Sequence, residues 1–208
     1  MAVLLKVDSS PMGERSVSRK LTGRFAEAWL DFHPGGTVIE RDLATTHLGV
    51  VNEFWVGAAH TPEAERTEEQ ASALRASDEF IAELQQADEY VFGVAMHNFS
   101  IPSTLKLWID QIVRAGKTFA YGADGPKGLL TSKKATVLLA SGGVYSQGTS
   151  MAALDFVTPY LRTVLGFIGV TDVTVIAAEG TAQLNSGAVD AKTFLAPSLE
   201  KVQAQTSI

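Results

Sequence analysis

One stretch constrains this chain more than any other. Residues 90–95, YVFGVA, are nearly all apolar. A run so short and so unbroken reads as a strand covered on both faces, central in a parallel sheet. It breaks at Met96-His97-Asn98-Phe99, and Ile101-Pro102 then sets a boundary. The residue before proline is pushed out of the helical region, while proline itself suits a first helical turn. A helix to about residue 114 is predicted. Leu105, Trp108, Ile109, Ile112 and Val113 fall at i, i+3, i+4, i+7 and i+8, one stripe facing the sheet. Strand, aromatic-polar loop and helix make the carboxyl-end crevice in which open α/β sheets bind ligands.

The rest of the chain repeats this alternation. Residues 3–7 read as a strand, and the loop Asp8-Ser9-Ser10-Pro11-Met12-Gly13 leads to a helix from Ser16 to about residue 30. Val17, Leu21, Phe25 and Ala28 give it helical spacing, and Ser16 is its expected N-cap. A second strand covers residues 37–40. The long connection 42–65 shows no clear period, and a loop of that length carrying Phe54-Trp55-Val56 points to function. Thr67-Glu68-Glu69-Gln70 is a capping box opening a helix to about residue 86. A second loop, 117–132, precedes a strand at 135–140. A helix at about 150–165, a strand at 173–178 and a closing helix at 187–203 complete the pattern. Five strands alternating with five helices predict one domain over residues 1–208, a three-layer α/β sandwich. Its five-stranded parallel sheet takes the order 2-1-3-4-5.

Charge and composition narrow the function. A net charge of -6 argues against a phosphate-backbone footprint, so no nucleic-acid partner is expected. Cysteine is absent, which removes disulfides, thiolate catalysis and cysteine-ligated metals. No run is long and apolar enough for a bilayer, and residues 1–7 lack a signal-peptide pattern, so no membrane partner and a cytoplasmic location are expected. His33, His47, His60 and His97 form no ligand-spaced cluster, so no metal site is expected. There is no G-x-S-x-G elbow, no G-x-G-x-x-G and no P-loop, which disfavours a serine hydrolase, a dinucleotide-binding domain and an NTPase.

In the expected strand order, the loops after strands one, three and four meet. Ser10, Ser16 and Ser18 offer hydroxyl donors beside a helix start whose free N–H groups favour a phosphate. Asn98 both donates and accepts, as the uracil-like edge of an isoalloxazine requires, while Met96 and Phe99 supply packing for its rings. Gly142 and Gly143 allow close backbone approach to a flat ligand. Each feature has a plainer reading alone: a helix cap, an Asx-turn, a core phenylalanine, a Gly-Gly turn. The plainer readings do not account for the set.

Ser9-Ser10 with Ser16-Val17-Ser18 and Leu21, Met96-His97-Asn98-Phe99, the run Arg114-Ala115-Gly116-Lys117-Thr118-Phe119-Ala120-Tyr121, Gly142-Gly143, Thr158-Pro159-Tyr160-Leu161 and Gly166-Phe167-Ile168-Gly169 resemble the FMN-dependent NADH-azoreductases and quinone reductases. The resemblance runs along essentially the whole chain. It implies a flavodoxin-like homodimer that binds FMN non-covalently and reduces quinones and aromatic azo compounds by two electrons from NADH or NADPH. The implied FMN positions are Ser10, Ser16, Val17, Ser18, Met96, His97, Asn98, Phe99, Ala140, Ser141, Gly142 and Gly143. Trp55, His60, Tyr121 and Phe167, with Phe99, are expected to shape an acceptor pocket, and no residue acts as a nucleophile because the chemistry resides on the flavin. His97 stands where many members carry tyrosine, Ala95 where many carry proline, and Ala140-Ser141 where a Ser-Arg pair is common. The alternative function is a flavodoxin-type electron carrier, against which the aromatic loops around Trp55 and Tyr121 argue.

Overall fold

The computed structural model describes residues 1–206. The last two residues of the expected domain, Ser207 and Ile208, lie outside the described residues. In chain order the strands are β1 (Val3–Asp8), β2 (Thr37–Asp42), β3 (Glu89–Ala95), β4 (Phe119–Gly122), β5 (Gly125–Gly128), β6 (Lys134–Ser141) and β7 (Asp172–Glu179). The α-helices are α1 (Val17–Phe32), α2 (Glu53–His60), α3 (Glu68–Gln86), α4 (Ser103–Ile112), α5 (Val157–Phe167), α6 (Ala182–Asn185) and α7 (Ala191–Gln205). Five strands form one parallel sheet in the order β2-β1-β3-β6-β7, and β4 and β5 pair antiparallel as a separate hairpin. The expected numbering 2-1-3-4-5 therefore becomes 2-1-3-6-7, because the hairpin adds two strands outside the sheet.

The two-residue period of the strands builds the two cores. Leu5, Tyr90, Phe92 and Val137 face one side and pack with Phe80, Leu84, Leu105, Trp108 and Leu161 from α3, α4 and α5. Their sequence neighbours Leu4, Val91 and Leu138 face the other side and meet Leu21, Phe25 and Trp29 of α1 with Leu195 and Val202 of α7. In β3, Tyr90 through Val94 are all buried, as expected for a central strand. Trp29 and Trp108 are buried whole. Each removes on the order of 200 Å² from water, a gross gain of about 5 kcal/mol before the cost of ordering the chain.

The local signals at two helix starts are realised. Ser16 Oγ accepts the Arg19 N–H at 3.3 Å. Thr67 and Gln70 exchange both bonds of a capping box. Four expectations are corrected. The connection 42–65 contains α2, capped by Asn52 and short enough that Phe54-Trp55-Val56 hide any single stripe; only Trp55 and Ala58 are buried. Loop 117–132 contains the β4–β5 hairpin, whose second strand, Gly-Pro-Lys-Gly, has little strand propensity of its own. The helix expected from about residue 150 starts at Val157, where the Asp155 carboxylate accepts the N–H groups of Val157 and Thr158 at 2.9 and 3.0 Å. The closing helix starts at Ala191, capped by Asp190, and not at Gly187.

Candidate functional site

Sheet register brings three loops together. Asp8 at the end of β1 pairs with Gly93, and Ala95 at the end of β3 pairs with Ala140. Ser9 donates to the Gly93 carbonyl through both N–H and Oγ, at 3.0 and 2.8 Å. The Met96 N–H donates to the Ala140 carbonyl at 2.8 Å. The chain thus leaves β1, β3 and β6 side by side at their carboxyl ends. Gly93 has no room for a side chain: a Cβ there would lie 2.5 Å from Asp8 Oδ1 and 2.9 Å from Thr22 Cγ2.

The first loop ends on α1. Ser16 Oγ lies 3.1 Å from Ser18 Oγ, and Ser10 Oγ accepts the Met12 N–H at 3.4 Å. The first-turn N–H groups of Val17 and Ser18 have no partner among the described residues, as the geometry of a helix start dictates. Ser10, Ser16 and Ser18 are buried, Ser18 completely, beneath the exposed residues 11–15. Ser18 therefore orients Ser16 and does not itself reach the surface. Below the loop, Asp8 accepts Thr22 Oγ1 at 2.7 Å and pairs with Lys6 at 3.3 Å. Burial nevertheless raises the Asp8 carboxyl above its ordinary value. Arg19 has the opposite effect on Asp42, whose carboxyl is lowered by the hydrogen bonds it accepts from that guanidinium.

The second loop is a tight reversal. His97 and Ser100 exchange both backbone bonds at 2.9 Å, while Asn98 and Phe99 take φ of 48° and 70°. Two positive φ values in succession are those of a type I′ turn, natural for asparagine and costly, about 1–2 kcal/mol, for phenylalanine. The Phe99 carbonyl accepts the Phe156 N–H at 3.1 Å, and its ring meets the Tyr145 edge at 6.3 Å. In the third loop, Ser141 Oγ donates to the Gly143 carbonyl at 2.9 Å, and a Cβ on Gly142 would meet nothing within 4 Å.

One cleft lies at the turn and another beside α2. One, about 460 Å³, is lined by His97, Asn98, Ser100, Ser103, Lys106 and Tyr160. The other, about 260 Å³, lies between α2 and the hairpin and gathers Trp55, His60, Arg114, Phe119 and Tyr121. Phe167 stands behind this second cleft, its ring 4.7 Å from Phe119, which in turn meets Tyr121 at 5.4 Å. Trp55, His60 and Tyr121 are thus brought together, with Phe167 one ring removed. His60 closes α2 and is not on a loop. Its Nδ1 lies 2.8 Å from the Val56 carbonyl. A carbonyl only accepts, so Nδ1 carries the hydrogen, and Nε2 donates to an acceptor oxygen only as imidazolium.

The family profile for the flavodoxin-like fold matches residues 2–204. A protein of Acidobacterium capsulatum described as an FMN-dependent NADH:quinone oxidoreductase is 55% identical over 98% of both chains. A second protein so described, from Burkholderia lata, is 43% identical over 98% of this chain and 99% of its own. The chain belongs to the flavodoxin-like family of FMN-dependent NADH:quinone oxidoreductases and azoreductases. Solved members share its shape. A Bacillus anthracis azoreductase is 32% identical with a TM-score of 0.88, covering 99% of both chains. An FMN-dependent NADH-azoreductase of the same species, solved with FMN, is 26% identical with a TM-score of 0.87, covering 100% of this chain and 98% of its own.

Within this quinone oxidoreductase and azoreductase family member, the sequence reading missed several residues around the loops. Arg19 grips Ser10 and Asp42. Tyr145 meets Phe99, and Glu179 accepts the Tyr145 N–H at 2.5 Å. Arg114, buried under the Trp55 ring at 5.9 Å, donates to Ser77 Oγ and Asp78 Oδ1 at 2.9 and 2.6 Å. All are pairings between distant segments. Their only sequence signal was the presence of Arg114 in the recognised 114–121 run.

Proposed function

We propose that this single-domain chain is an FMN-dependent NADH:quinone oxidoreductase that also cleaves aromatic azo compounds, acting as a cytoplasmic homodimer. The observation that carries the reading is the convergence, by sheet register, of a hydroxyl-rich helix start, a strained Asn-Phe turn and a Ser-Gly-Gly loop at the carboxyl ends of β1, β3 and β6. These residues fit FMN. Ser10, Ser16 and the N–H groups of Val17 and Ser18 suit its phosphate. Asn98 suits the uracil-like edge, and the backbone of Met96, His97, Phe99 and of Ala140, Ser141, Gly142 and Gly143 walls the ring system. When bound, FMN supplies the two-electron chemistry that links NADH to the acceptor. The protein's own work is to bind, orient and screen. Trp55 and Tyr121 give flat acceptors an aromatic wall, backed by Phe119 and Phe167, and His60, when its ring is an imidazolium, donates from Nε2 to an oxygen of the substrate.

NADH and the acceptor both need to stack over the same exposed ring face, so one leaves before the other enters. Parallel double-reciprocal plots are expected, with the flavin bleached by NADH alone; running NADPH beside NADH gives the donor preference. Substituting His60 or Tyr121 shifts acceptor specificity and leaves the NADH half-reaction nearly unchanged. Intersecting plots, or bleaching that requires quinone, overturn the shared-site reading. A persistent semiquinone indifferent to NADH supports an electron carrier instead.

The homodimer is supported by large apolar side chains left exposed near the clefts: Phe54, Phe99, Tyr121, Phe156 and Phe167. Sedimentation of the flavin-loaded protein is expected to give a dimer. An active, loaded monomer at assay concentration refutes it.

A further inference from the structure

Arg19 holds both ends of the loop that leads from β1 to α1. Its Nε and Nη2 donate to the Ser10 carbonyl at 2.9 and 2.8 Å. Its own main-chain N–H donates to Ser16 Oγ at 3.3 Å. The same guanidinium reaches sideways to the last residue of β2, where Nη1 and Nη2 donate to the two Asp42 oxygens at 2.8 and 2.5 Å. Asp42 is itself fixed, since its Oδ1 also accepts the Ala44 N–H at 2.9 Å. The loop is therefore referenced to the sheet through one planar cation.

We propose that Arg19, held in place by Asp42, is a positioning residue that sets the spacing between Ser10 and Ser16 and so makes the site select phosphorylated over unphosphorylated flavin. Arg19 is not assigned a phosphate contact. Asp42 satisfies its charge, and the work lies in the fork, which bonds a carbonyl and a carboxylate in one plane. Lysine has the charge but not the fork, so it cannot hold both partners. The remaining charged groups on the adjoining cleft are Lys6, Asp8, Glu14 and Lys20; none of them touches Ser10 or Ser16 among the described residues. The inference rests on the assignment of the FMN phosphate to this loop.

The test titrates full-length protein, freed of flavin, with FMN and with riboflavin, for wild type, Arg19→Lys and Asp42→Asn. Wild type is expected to prefer FMN strongly. Both variants should lose roughly tenfold to a hundredfold of FMN affinity while riboflavin binding stays within about twofold. A general loosening of the fold weakens both flavins alike and overturns the proposal. Wild-type preference retained in both variants overturns it too. Equal affinity of wild type for the two flavins strikes the phosphate assignment itself, and the proposal with it. Asp42→Asn leaves Arg19 in place, so a folding defect specific to position 19 does not decide the outcome.

Discussion

Replacing Ser16 and Ser18 together by alanine is expected to lower FMN affinity by about 1.5–3 kcal/mol, the loss of one hydrogen bond to a charged group, from Ser16, together with the hydroxyl that orients it. In dissociation constant this is roughly tenfold to a hundredfold. The geometry assigns the two hydroxyls different parts of that loss. Ser16 caps α1 and stands at the mouth of the loop, whereas Ser18 is fully buried with its oxygen 3.1 Å from that of Ser16. Ser18→Ala alone therefore acts by freeing Ser16 to rotate and weakens binding less than Ser16→Ala. The double variant also loses a helix cap, so its melting temperature falls slightly, by the equivalent of about 1 kcal/mol. Fluorescence titration is the check. Unchanged affinity in the double variant removes the phosphate from this loop.

Gly128→Ala is expected to cost about 3 kcal/mol of stability, at the upper end for an overpacked site. A Cβ there would stand 2.1 Å from the Gly169 nitrogen and 2.3 Å from the Ile168 carbonyl carbon. These are backbone atoms, which cannot swing aside as a side chain can. A Cβ on Gly169, at φ +107°, would likewise meet the Gly128 carbonyl carbon and the Leu130 nitrogen at 3.1 Å, and the Leu130 N–H donates to the Ile168 carbonyl at 2.9 Å. The hairpin must lift from the end of α5, carrying Phe119 and Tyr121 with it. The melting temperature should fall by roughly 6–12 °C, and the KM for acceptor should rise with flavin loading intact. Gly166→Ala is the control. Its Cβ meets nothing within 4 Å and it lies inside α5, so stability holds or rises by up to about 1 kcal/mol. A Gly128→Ala protein that melts with wild type shows that the hairpin is not anchored there.

What could be read from the sequence was what repeats locally. The apolar run 90–95, the stripe from Leu105 to Ile112, the Ser16 cap and the Thr67–Gln70 box each declare themselves within a few residues, and each is present. The three loops leave the carboxyl ends of neighbouring strands, since strand order alone puts them side by side. What could not be read depends on partners far along the chain. The β4–β5 hairpin is held by backbone contact with residues 168 and 169, and nothing in Gly-Pro-Lys-Gly announces it. The Arg19–Asp42 fork spans the β1–β2 crossover. The left-handed Phe99 is fixed by its bond to Phe156, so a turn that glycine would favour carries an aromatic ring instead. Trp55 and His60 belong to a helix that the sequence does not announce, because two helical turns with three adjacent large apolar residues give no period to detect.

The placement of α2 and the β4–β5 hairpin outside the parallel sheet has a consequence for how such a protein changes. In the proposed site the flavin crevice is framed by the ends of β1, β3 and β6, so altering it means altering the loops that the sheet itself places. The proposed aromatic wall is made from α2 and the β4–β5 hairpin, which are not part of that sheet. On this reading acceptor range and cofactor retention are separately mutable: a library confined to residues 53–60 and 119–127 is expected to explore new acceptors on a scaffold that keeps its cofactor.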